Sequence, residues 1–143
     1  MKKILLILIL LTTSFAVMAD DDEWNYITSS VDDVDSYAHK DLMRHEKGYI
    51  VWMKDVLPKP EHSYITEGKT CDTRYTLVLL DNNFLRKQTL QVDEFLRDDI
   101  VASISFDFSP YDWQYIRPGS VAASIAKYAK QTIIGKKLRF EEE

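Results

Sequence analysis

Apolar and polar residues alternate with a period of two over most of this chain and switch to a period near 3.6 only close to its C-terminal end. The longest helical pattern runs from Arg117 to Gly135. At roughly 100° per residue, Val121, Ala122, Ile125, Ala126, Tyr128, Ala129, Thr132 and Ile133 share one side, and Lys127, Lys130 and Gln131 fall on the other. Pro118 suits the first turn, and Gly135 suits a left-handed stop. A helix of this length is marginal alone, so its apolar side must lie on a sheet made from the residues before it.

Those residues read as six strands. Trp24 to Ser29 is rich in strand formers. Ser36 to Arg44 and Tyr49 to Leu57 form a hairpin about His45-Glu46-Lys47-Gly48, where Gly48 offers the positive φ a turn wants. Apolar residues on both faces of Tyr49 to Leu57 mark a central strand. Prolines 58 and 60 end it and open a loop to Gly68 that reads first as a plain connector and second, through its Tyr64 and His62, as a recognition element. Arg74 to Leu80 and Phe84 to Val92 flank the turn-forming Asp81-Asn82-Asn83. Asp93 to Asp99 reads as a charged connector. Ile100, Ala102, Ile104, Phe106 and Phe108 then alternate with Val101, Ser103, Ser105 and Asp107, predicting a strand with one buried and one wet face. The expected fold is α+β: an antiparallel sheet of about six strands with one C-terminal helix packed across a face.

The chain begins with Met1-Lys2-Lys3, an apolar run from Ile4 to Leu11, and Val17-Met18-Ala19, the layout of a secretory signal peptide cut before Asp20. The apolar run is too short to span a bilayer, for which ~20 residues are needed. Residues 20–135 then form one domain, residues 136–143 a charged tail, and the protein is expected in the periplasm, on the cell surface or outside the cell. The formal net charge of −5 becomes two units more negative once Lys2 and Lys3 leave. Such a charge argues against nucleic acid as the partner. Between Asp112 and Glu141, however, there is no acid, while Arg117, Lys127, Lys130, Lys136, Lys137 and Arg139 all fall there. Lys127, Lys130, Lys136, Lys137 and Arg139, with Tyr64, are the candidate binding residues, toward a protein or an acidic glycan. As a solvated helix face they would have no partner.

Little points to catalysis. His39, His45 and His62 are scattered, and the single Cys71 belongs to no C-x-x-C pair, so neither a zinc site nor another cofactor is expected. Four glycines build no phosphate-cradling loop. Cys71 with His62 could be imagined as a nucleophile and base, but a buried thiol is the simpler reading. The carboxylates between Asp32 and Asp35 lack the spacing of a calcium loop. A non-enzymatic protein is expected.

Several landmarks together resemble the surface-adhesin protein E family of Gram-negative bacteria. They are the early Trp24, the Gly48-Tyr49-Ile50-Val51-Trp52 strand, the Lys69-Thr70-Cys71-Asp72-Thr73-Arg74-Tyr75 segment, and Trp113-Gln114-Tyr115-Ile116-Arg117-Pro118-Gly119-Ser120 before the helix. The resemblance implies an antiparallel sheet with a C-terminal helix and a role in binding host matrix proteins such as vitronectin and laminin. Two features depart from the family. Its members commonly carry a second Cys near the end of the helix, absent between Ala126 and Ile134 here, which removes a staple worth ~2–4 kcal/mol. The founding adhesin is a lipoprotein, and no lipidation Cys follows this signal peptide. The competing expectation is a periplasmic accessory protein that pairs with an envelope component through a sheet edge.

Overall fold

A computed structural model describes residues 23–142, with side chains as far as Lys136. The expected signal peptide and its expected cut before Asp20 lie outside the described residues. Among the described residues eight strands precede one helix: β1 (Trp24–Ser29), β2 (Asp35–His39), β3 (Met43–His45), β4 (Gly48–His62), β5 (Thr70–Asp81), β6 (Arg86–Leu96), β7 (Asp99–Ser105), β8 (Gln114–Tyr115) and α1 (Val121–Glu142). The fold is α+β. The strands form one antiparallel sheet in the order β1-β2-β4-β5-β6-β7, with β3 added to β4 and β8 to β6.

The helix lies across one face of this sheet. Ile125, Ala126 and Ala129 meet Ala38, Val51, Val78 and Leu80, and Ile27, Met53, Val121 and Tyr128 pack at the margin of that core. The Asn25 side-chain amide donates to the Tyr128 hydroxyl at 2.8 Å and ties the helix to β1. Gly119, at φ 77°, turns the chain into the helix, and the Ser120 hydroxyl caps it by accepting from the Ala123 N–H at 3.1 Å. On the opposite face, residues 106–113 fold back beneath the sheet. The Gln88 side chain is buried and clamps Ser109, donating to its carbonyl and accepting from its N–H, both at 3.1 Å.

Several boundaries differ from those expected. The helix starts at Val121, so Pro118 sits in the turn before it. It also runs through Gly135 to Glu142 instead of stopping there, so residues 136–142 are helix and not tail. Gly135 keeps a negative φ, and mid-helix glycine costs only ~1 kcal/mol, which the good helix formers on either side outweigh. Strand β4 continues through Pro58 and Pro60 to His62, because no β5 partner faces residues 57–60 where the register shifts. The stretch from Asp93 is the end of β6, with the turn compressed into Arg97 and Asp98, both at positive φ. Gly48 is not a turn residue: it is buried in β4 with a negative φ, and the turn is Glu46-Lys47.

The largest correction concerns β7. Its apolar row was expected to be buried, yet Ile100 is 60% exposed, Ile104 38% and the following Phe106 48%. The five spacings between six strands add up to about 24 Å at ~4.8 Å each, whereas one helix is ~10–12 Å wide. The helix covers the β1 to β5 side and leaves the helix-side faces of β6 and β7 open at Ile104, while the extra residue Val101 turns Ile100 to the opposite face, beside Phe95.

Candidate binding surface

Because the helix covers only part of the sheet, a trough of about 850 Å³ opens between α1 and β6. Met53, Val78 and Val121 line its apolar part, Thr76 and Thr89 add hydroxyls, and Lys87 and Arg117 add positive charge. The pairing of β8 with β6 sets Gln114 opposite Lys87, which holds the approach to Arg117 beside that lysine. Neither cation forms an ion pair with a described residue. The trough continues past Met53, Thr76, Thr89 and Val121 into a hollow of about 470 Å³ also lined by Asp55, Arg74 and Tyr64.

Beneath that far end lies a buried charged cluster. The register of β5 on β6 places Arg74 opposite Glu94, and the guanidinium Nε donates to Glu94 Oε2 at 2.9 Å. Glu94 has no exposed surface. Its carboxylate also accepts from the Ser63 hydroxyl, from the Tyr64 N–H at 3.2 Å and from the Cys71 thiol at 3.4 Å. Arg74 donates a second hydrogen bond to the His62 carbonyl at 3.0 Å, and its guanidinium lies 3.7 Å from the centre of the Tyr64 ring. Burial pushes the Glu94 carboxyl up, but the bonds from Ser63, Arg74, Tyr64 and Cys71 outweigh it and hold the group below its ordinary 4.5. Asp55 moves the other way: burial raises it, against the lowering effects of the Ser36 hydroxyl, which donates at 2.6 Å, and of Arg74.

Cys71 is fully buried, and its thiol is pushed up to about 11, chiefly by burial. A thiol so placed holds almost no thiolate at neutral pH, and its hydrogen bond goes to Glu94, not to a histidine. An aromatic disulfide reagent at pH 8 should therefore leave the native thiol unmodified and titrate it fully in urea. Fast modification of the folded protein would contradict this burial.

The structure separates the candidate binding residues. Lys127 and Lys130 are exposed and flank a groove of about 330 Å³ lined by Phe84, Leu85, Ile116 and Pro118, on the other side of the helix from the trough. Lys136 is exposed too, but nine residues beyond Lys127 places it half a turn round the helix. Lys137 and Arg139 lie on the final turns of α1, where side chains are outside the described residues. Tyr64 is 79% exposed and belongs to the hollow beside Arg74, apart from the lysines. One uniform basic face is thus replaced by two cationic rims on either side of α1, Lys87 with Arg117 and Lys127 with Lys130. Lys87 was missed because a single lysine on a strand resembles any solvated position.

Among the described residues, no three His, Cys, Asp or Glu side chains gather to hold a metal ion. No helix among them is long and apolar enough to cross a membrane. No protein-family model, curated protein or solved structure matches the chain.

Proposed function

We propose that this chain is an exported, non-enzymatic binding protein that grips an acidic, partly apolar polypeptide segment against α1. The observation that carries this reading is the trough, where apolar Met53, Val78 and Val121 lie beside the cations Lys87 and Arg117. Its volume falls in the range of ligand sites, ~300–1,000 Å³. A glycan would offer hydroxyls to the apolar part, whereas a polypeptide offers both apolar side chains and carboxylates. Lys127 and Lys130, beside Leu85, Ile116 and Pro118, repeat the combination on the other flank and give a long segment a second hold. The buried thiol and the fully bonded Glu94 are poorly suited to attack a substrate.

Export rests on the N-terminal pattern, and matrix proteins as partners rest on the family resemblance. Immobilised vitronectin and laminin are therefore the first baits, and protease shaving of intact cells distinguishes a surface from a periplasmic location. Retention on a bait should fall as salt rises, because exposed charges are screened within ~10 Å at 0.1 M. The K87Q/R117Q double variant should bind ~tenfold more weakly, or ~1.4 kcal/mol, with K127Q/K130Q losing less. Retention unchanged by salt and by both double variants would overturn the proposal.

A further inference from the structure

We propose that β7 is a self-pairing edge through which two copies of this chain join their sheets. Among the described residues no strand lies beyond β7, which pairs only with β6. The direction of its backbone groups follows from one bond: the Phe106 N–H donates to the Leu90 carbonyl at 2.8 Å. In an antiparallel ladder the bonded residues recur every second position. Ala102, Ile104 and Phe106 therefore turn their backbone groups toward β6, and Ser103 and Ser105 turn theirs outward.

Natural edge strands are guarded by lysine, proline or inward-pointing charge. From Ile100 to Phe106 this edge has none of them. Its one irregularity is the register shift that leaves Val101 as an extra residue, so the regular stretch is Ala102 to Phe106. That stretch also carries the exposed apolar side chains Ile104 and Phe106 on or beside the uncovered face.

A second copy fits this edge in one register. With two antiparallel strands, Ser103 faces Ser105 and exchanges both outward hydrogen bonds, Ile104 faces Ile104, and Ala102 faces Phe106. Small meets large where Ala102 faces Phe106, the two Ile104 side chains meet on the two-fold axis, and no charged residues oppose each other. Moving one step toward the strand start sets the extra residue Val101 against Ser105 and interrupts the ladder at its end. Moving the other way sets Ser103 against Asp107, beyond the last bond to β6 at Phe106, where the chain leaves the sheet edge. This self-match selects a second copy over a foreign strand.

The symmetry provides the test, because residue 104 meets its own copy. The purified protein should sediment as a concentration-dependent dimer. I104K and I104E should each weaken self-association ~tenfold or more, with unchanged circular dichroism because Ile104 is part-exposed. Mixing the two variants should restore the dimer by pairing Lys with Glu, a rescue that neither misfolding nor a different interface provides. A wild-type protein that remains monomeric overturns the proposal. So does a dimer that I104K leaves intact, or a mixture that does not recover association.

Discussion

Arg74→Ala is expected to destabilise the protein by ~3–5 kcal/mol at pH 7, a large part of the ~5–15 kcal/mol that holds a domain of this size together. The cost does not equal the worth of the ion pair. It arises because Glu94, with no exposed surface, keeps a charge whose counter-ion has gone. Ser63, Tyr64 and Cys71 still donate to that carboxylate, but none carries positive charge. Tyr64 also loses the guanidinium that covers its ring. Urea unfolding curves measure the effect, and a midpoint within error of wild type would rule out the buried pair. Replacing both partners with apolar residues, as in R74M/E94L, should recover much of the loss, because it removes both desolvation costs together.

The pH dependence of the two proteins separates this cause from simple loss of packing. In the wild type the folded Glu94 carboxyl lies below its ordinary 4.5, as does Asp81 below 3.8. The unfolded chain therefore takes up protons first as pH falls. The stability these groups contribute is complete above about pH 4.5 and is lost as pH falls below it, through their folded values. In Arg74→Ala the same carboxyl has lost its positive neighbour and moves upward, so the variant regains ground on acidification. The gap between the two proteins should be widest near pH 7 and narrow below pH 5.

Much of the architecture was legible because alternation and helical periodicity report which faces are dry. Trp24 to Ser29 has the expected bounds, and the apolar side of the helix is the buried side at Ile125, Ala126 and Ala129. What the pattern could not carry was extent. Period two at β7 established a strand but neither its neighbours nor the extra residue Val101, which splits the apolar positions between two faces and leaves Ile104 on an edge beyond the reach of the helix. Proline at 58 and 60 breaks a ladder only where a partner strand needs the N–H, and residues 57–60 have no such partner. The Arg74–Glu94 cluster was invisible for a related reason. The two residues lie far apart in sequence and meet only through the β5–β6 register. The trough has the same origin, since its residues come from β4, β5, β6, β8 and α1.

Gly48 is the sharpest case, and it yields the second large effect. Read as a turn residue, it would tolerate asparagine, which enters the left-handed region more readily than other side chains. In the structure it sits in β4 opposite Asp81, where an added Cβ would lie 1.8 Å from the Leu80 carbonyl oxygen and 2.9 Å from its carbon. These are backbone atoms of the neighbouring strand and cannot rotate aside. Relief requires β4 and β5 to part at the end of the sheet where Tyr49 stacks on Phe84. Parting would also strain the Arg44 guanidinium, which donates to the Gly48 carbonyl at 2.9 Å and to the Asn82 side chain at 2.8 Å. Gly48→Ala should therefore cost ~3 kcal/mol or more, at or beyond the upper end of ordinary overpacking. Gly48→Asn should be at least as damaging, although a turn position would accept it. Amide exchange should localise the damage, with protection lost at Tyr49 and Leu80 before the centre of the sheet at Val51 and Val78. An asparagine variant as stable as wild type would return Gly48 to the turn and undo the close approach of β4 to β5 at that end.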